Sequence, residues 1–208
     1  NPLNNIDLTV ESLVEGFEEI AVTAKLHMLD QVYTQFERAS ATVRNLLDFT
    51  RKGRTAFAEM SVESAVSTAR RLVTNESMLN DIEWAVDLPS DLPPVMGHPH
   101  DLQQVFLNLF LNAIQAMSSG GRLSVSASKV NDQWVRIDVT DTGPGIPEDA
   151  LGQIFDPFFT TKDPGQGTDL GLSVSHGIIE EHGGRLEVES EPGSGTTFSV
   201  FLSITHES

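Results

Sequence analysis

Trp134-Val135-Arg136-Ile137-Asp138-Val139-Thr140 alternates apolar and polar residues, the period of a strand with one buried face. It runs directly into Asp141-Thr142-Gly143-Pro144-Gly145-Ile146. The chain must therefore carry a sheet in which one strand ends on a carboxylate followed by glycines. A carboxylate only accepts hydrogen bonds, which suits the amino group of a nucleic base. Gly143 and Gly145 permit close backbone approach. An isolated Asp at a strand end also serves as a turn cap, so both roles stand open.

A second glycine segment, Gly165-Gln166-Gly167-Thr168-Asp169-Leu170-Gly171-Leu172, opens a stretch of helical character from Leu172 to His182. Glycines leading into a helix suit phosphates, because free N–H groups and the helix dipole favour anions there. The spacing is not the dinucleotide fingerprint, and no strand directly precedes it. Between composition and motif lies a third segment, Asp101 to Met117, with the pattern of an amphipathic helix. Val105, Leu109, Phe110 and Ile114 can pack on a sheet, while Asn108 and Asn112 stand one turn apart on one face. An amide oxygen can ligate Mg2+ without adding charge beside a triphosphate. Equally, the two asparagines could bridge backbone in a core helix.

Together these segments resemble the ATP-binding domain of sensor histidine kinases, in the ATPase superfamily shared with gyrase, Hsp90 and MutL. Asn108 to Asn112 is similar to the N box, Asp141 to Gly145 to the G1 box, Phe155-Asp156-Pro157-Phe158-Phe159 to the F box and Gly165 to Leu172 to the G2 box. The resemblance implies ATP with Mg2+ held by Asn112, and Asp141, Gly143, Gly145 and Ile146 at the adenine. Thr196 or Thr197 would add a hydroxyl near the base. Phe155 and Phe159 would act as hydrophobic latches, or as ordinary core. Gly165, Gly167, Thr168, Leu170, Gly171 and Leu172 would surround the phosphates. Lys162, in a lid from Thr160 to Thr168, would meet the phosphates or stay solvated.

Hydrolytic relatives carry glutamate one turn before the magnesium asparagine, where this chain has Asn108. An amide cannot remove a proton at neutral pH. The site is therefore expected to withhold ATP from water and pass its γ-phosphoryl group to an imidazole, by positioning and charge neutralisation. Asn1-Pro2-Leu3 resembles the tail of the kinase H box, which implies an acceptor histidine one helical turn before Asn1. By the same resemblance, Asn1 can position a water that dephosphorylates the partner regulator. Onward transfer to an aspartate of a response regulator receiver domain, and a sensor domain upstream, are implied by the resemblance alone. His27, His98, His100, His176, His182 and His206 stand in no acceptor motif and are expected to be surface or structural.

One departure stands out. Asp169 replaces the third glycine of the family's G2 pattern. A left-handed backbone there would cost about 1–2 kcal/mol. A carboxylate ~5 Å from phosphate at an effective dielectric of ~20 would repel by ~3 kcal/mol, about a hundredfold in affinity. Asp169 could instead cap the following helix. The alternative to an active kinase is thus a nucleotide-binding-impaired, dimeric signalling scaffold.

Ahead of these motifs, Asn1–Lys25 and Leu26–Thr50 each carry an apolar stripe in steps of three and four, and read as a helical hairpin. Two copies would make a four-helix bundle, hence an expected homodimer; the hairpin could instead pack on its own C-terminal domain. Domains are expected at 1–55 (dimerisation and phosphotransfer) and 56–208 (ATP-binding), with Arg51-Lys52-Gly53-Arg54 at the junction. Val62–Val73 reads as a helix with Ser61 as N-cap and Leu72 on its inner side. Ile82–Leu88, Arg122–Val130, Trp134–Thr140, Arg185–Glu191 and Thr197–Ile204 read as strands, and Pro89–Pro99 as an extended connection. The expected class is α+β: the hairpin followed by an α/β sandwich on a mixed, mostly antiparallel sheet. Thirty acidic residues against 13 basic ones, net charge -17, disfavour nucleic acid and anionic membrane as partners. The lack of cysteine fits a cytoplasmic location. No signal peptide is visible, and no apolar run reaches the ~18 residues of a membrane helix.

Overall fold

A computed structural model describes residues 2–17, 21–26, 28–29, 32, 57–117, 120–157, 159 and 170–205. The chain divides into two compact units, 1–52 with 160–170, and 53–159 with 171–208.

The first unit contains α1, Pro2–Glu15. It is shorter than the stripe to Lys25 predicts. Gly16 and Phe17 form a turn, and helix resumes at 22–26. Glycine is the poorest helix former after proline, which accounts for a break at Gly16. Leu8, Val14, Phe17, Val22, Leu26 and Leu29 are exposed by 51% or more. The expected second helix, Leu26–Thr50, and the boundary at 55 lie almost wholly outside the described residues.

The second unit is built on a five-stranded sheet. In chain order come β1 (Ala58–Met60), α2 (Val62–Leu72), α3 (Thr74–Leu79), β2 (Ile82–Asp87), β3 (Val95–Gly97), α4 (Pro99–Ala116), β4 (Gly121–Lys129), β5 (Trp134–Asp141), α5 (Glu148–Leu151), α6 (Gly171–Glu181), β6 (Arg185–Glu191) and β7 (Gly195–Ser203). The sheet order is β2-β4-β5-β7-β6. Only β2–β4 is parallel, so the sheet is mixed and mostly antiparallel. Strand alternation does the sorting. Leu123 and Val125, Val135, Ile137 and Val139, and Phe198, Val200 and Leu202 are buried in one core with Val66 and Ala69 of α2, Val105, Leu109 and Ile114 of α4, and Ile179 of α6. The other face carries polar and cation–π contacts. Arg136 Nε meets Asp138 at 2.7 Å, Ser199 Oγ donates to Asp138 at 2.7 Å, and the guanidinium of Arg185 lies 4.6 Å over the Phe201 ring.

Three local expectations are corrected. Leu72 is 61% exposed, while Val73 is fully buried; at 100° per residue Leu72 falls about 80° from the centre of the α2 stripe. Ser61 sits at the N-cap position but its hydroxyl makes no cap bond. The connection Pro89–Pro99 contains β3, which pairs with β1 in a separate two-stranded sheet, Ala58 opposite Gly97 and Met60 opposite Val95. Among the described residues no helix is long and apolar enough to cross a membrane.

Candidate functional site

Helix α4 is the spine of the site. Pro99 starts it, a residue whose missing N–H costs nothing in the first turn. Leu102, Val105, Phe106, Leu109 and Phe110 turn to the core. Beside them the i, i+4 row Asn108, Asn112 and Ala116 is half-buried. At one end of the row, Asn108 Nδ2 donates to the carbonyl of Gly171 at 3.1 Å and to Ser175 Oγ at 3.2 Å. Ser175 Oγ in turn donates to Gly171 O at 2.8 Å. At the other end lies Gly143. A Cβ there would come within 2.8 Å of Asp141 Oδ1 and 3.3 Å of the Ala116 methyl. The glycine turn after β5 and the first turn of α6 therefore meet the same face of α4, about 12 Å apart along its axis, with Asn112 midway.

Asp141 closes β5 and is 5% exposed. Its Oδ1 accepts from the Gly143 N–H at 2.8 Å, and the Thr196 backbone N–H also bonds the carboxylate. Burial pushes its pKa up, and the two backbone bonds oppose that in part. Two glycines make the turn possible. Gly145 has φ 75° and Gly195 φ 94°, and a Cβ would land on the carbonyl of Glu191 at the first and of Asp141 at the second. Ser190 ties the pieces together: its hydroxyl accepts from Ile146 N–H at 2.8 Å, donates to Gly195 O at 2.8 Å and lies 2.9 Å from Thr196 Oγ1.

The two threonines part. Thr196 is buried beside Asp141, its register partner. Thr197, one residue on, points to the opposite sheet face and pairs with Thr140 at 3.0 Å. Strand alternation separates it from the site. Phe155, Phe159 and Leu172 are partly buried against the core, and Phe155 stacks on His176 with ring centroids 4.9 Å apart. Leu170 is the turn residue before α6. Asn1, Phe158, Lys162, Gly165, Gly167, Thr168 and Asp169 lie outside the described residues.

A strand-end carboxylate and a helix start, brought to one face of an asparagine-bearing helix, are the geometry that known proteins can be compared with. The family model described as histidine kinase-, DNA gyrase B- and HSP90-like ATPase matches residues 97–206. The chain belongs to this family. Within these ATPases it is 37% identical to the sensor histidine kinase ZraS of Escherichia coli (strain K12), over 98% of this chain and 43% of ZraS. The chain thus spans less than half of that relative's length. The solved catalytic domain of histidine kinase ThkA covers 73% of this chain and 97% of its own at 30% identity, with a TM-score of 0.64. The solved complex of ThkA with the response regulator protein TrrA covers 98% of this chain and 59% of its own at 25% identity, with a TM-score of 0.78.

In this ATPase-family domain several contributors carry no sequence signal of their own. Ser190, Ser175 and His176 reach the site through β6 and α6, elements distant in sequence from α4 and β5. Only Gly195 could have been suspected, from Pro192-Gly193-Ser194-Gly195.

Proposed function

We propose that this chain is the catalytic core of a two-component sensor histidine kinase, which binds MgATP and passes the γ-phosphoryl group to a histidine of the dimerisation hairpin in the full-length protein. The observation that carries this is the α4 row: Asp141 and Gly143 at one end, Gly171 at the other, Asn112 between. Asp141 is the acceptor for the adenine amino group, and glycine at 143, where a Cβ would press on Asp141 Oδ1 and the Ala116 methyl, lets the turn pack close against α4. Thr196 and Ser190 hold that carboxylate and the Ile146 loop in place. Glycine at 171, buried against Asn108, brings the start of α6 to the phosphate end; Gly165, Gly167, Thr168, Leu170, Leu172 and Lys162 are the proposed phosphate-binding residues. Phe155 and Phe159, partly buried against the core, would act as hydrophobic latches.

Asn112 fits Mg2+. It is a neutral oxygen donor of the kind a hard cation takes alongside phosphates and water, and Asp141, engaged by two backbone N–H groups, is left to the base. When bound, Mg2+ would neutralise charge on the phosphates. Asn108 lacks the basicity to ready a water, so this chain's residues bind, orient and exclude while the nucleophile comes from the hairpin. The hairpin would dimerise, and phosphate would move on to a receiver-domain aspartate; the solved ThkA–TrrA pair supports such a partner. Asn1 would assist the reverse, dephosphorylating step.

Full-length protein incubated with radiolabelled ATP and Mg2+ should gain an acid-labile, alkali-stable phosphate, and Asp141→Ala or Asn112→Ala should abolish it. Rapid phosphate release without phosphohistidine would instead make the protein a hydrolytic ATPase. If wild type binds no nucleotide and Asp169→Gly restores binding, the chain is the impaired scaffold.

A further inference from the structure

We propose that Ser175 is a positioning residue of this site, which fixes the orientation of the Asn108 amide and thereby the seat of the phosphate end. It rests on the kinase function proposed above. Ser175 is fully buried in the second turn of α6. Its hydroxyl donates to Gly171 O at 2.8 Å and accepts from Asn108 Nδ2 at 3.2 Å, while Nδ2 also donates to Gly171 O at 3.1 Å. The three groups form a closed triangle.

Gly171 O accepts only, and Ser175 Oγ, whose proton goes to Gly171 O, can only accept from Asn108, so the amide nitrogen must face both and has one orientation rather than two. Its Oδ1 is then turned away from α6. The same triangle joins the first turn of α6 to the side chain of α4. The helix that would hold Mg2+ and the helix start that would meet the phosphates are therefore tied by hydrogen bonds from the Asn108 and Ser175 side chains. An acid at position 108 would lack both donors and would face Gly171 O with like partial charge. This triangle needs an amide, which is a structural reason for asparagine at 108 apart from its lack of basicity. A buried serine bonded to its i−4 carbonyl is common in helices and by itself implies only local packing. The bond across to Asn108 is what distinguishes this one.

The test compares Ser175→Ala and Ser175→Thr with wild type. In the 208-residue chain, the Asn108 side-chain amide protons should exchange with solvent faster in Ser175→Ala and at the wild-type rate in Ser175→Thr. ADP affinity measured without Mg2+ should change by less than about twofold, because Asp141 is at the far end of the row. In the full-length protein, the Mg2+ concentration for half-maximal autophosphorylation should rise about fivefold in Ser175→Ala, the worth of one net hydrogen bond, and return with Thr. Unchanged Mg2+ dependence and amide exchange would overturn the proposal. So would ADP affinity and Mg2+ affinity falling together with the melting temperature, the mark of a structural role. Wild type that takes up no nucleotide defeats the proposed function and this role with it. Wild type that binds normally, with Ser175→Ala indistinguishable from it, defeats the role alone.

Discussion

A buried carboxylate is costly unless something needs it, and Asp141 is such a group. Burial raises its pKa more than the Gly143 and Thr196 N–H groups lower it. The folded chain thus holds its proton to a higher pH than the unfolded chain. Between the two pKa values the folded state binds more protons, so stability falls as pH rises through that window and the charge is a burden at neutral pH. Asp141→Asn should therefore melt at a higher temperature than wild type at pH 8, with the gap closing on acidification below the ordinary carboxylate range. The same change should weaken ATP binding by roughly ten- to a hundredfold, the range for a hydrogen bond to a charged group. Calorimetric titration and thermal unfolding of both proteins at two pH values check this; a variant that binds ATP like wild type would remove Asp141 from the adenine contact. A gain in stability with a loss of binding is the signature of a functional rather than a capping carboxylate.

Elements are held together here by polar ties as much as by apolar faces, and β3 shows how. His182 directly follows α6 and is 5% exposed. Its Nδ1 lies 2.7 Å from Ile178 O, and its Nε2 accepts the His98 backbone N–H at 3.0 Å. That pairing requires a neutral ring with the proton on Nδ1. Phe57, beside β1, lies 4.9 Å from the His182 ring and 4.7 Å from that of His98, so one imidazole joins α6, β3 and the start of the unit. Burial lowers its pKa; Ile178 O, Asp101 and Glu181 oppose this, and His98 adds to it. Below about pH 6.5 the unfolded chain takes up a proton there that the folded chain refuses. Stability from this contact is complete above that pH and is lost as pH falls toward the lowered folded value. Urea unfolding of wild type and His182→Gln from pH 8 to 5 should show the variant less stable at pH 8 and the difference shrinking on acidification. A constant difference would mean that the ring does not titrate between the two states.

At the scale of the whole molecule, the two units differ in how well they cover their apolar surface. The second buries a continuous core under its sheet, whereas among the described residues of the first Leu8, Val14, Val22 and Leu26 are exposed by 62% to 70%. An exposed apolar row suits an interaction surface, and we expect a second copy to close a four-helix bundle. Sedimentation of the 208-residue chain should therefore give a dimer at micromolar concentration, and Leu8→Lys with Val22→Lys should shift it toward monomer; a wild-type monomer would contradict pairing through the hairpin. Local chemistry written in the chain was enough for the sheet's strands and the α4 helix, because period and turn chemistry act over a few neighbours, and it singled out Asn108, Asn112, Asp141, Gly143 and Gly171 as candidates. It misjudged Leu72, which lies at the margin of its stripe, and it left Thr196 and Thr197 undivided, since the phase of alternation is set by the β5–β7 register. Tertiary structure alone decided that Ser190 secures the Ile146 loop, that Ser175 orients Asn108, and that Gly143 and Gly171 meet one helix. Those contacts join residues 27 to 67 positions apart, and nothing local to either partner selects the other; only the closing of α6 and β6 onto α4 and β5 brings them together.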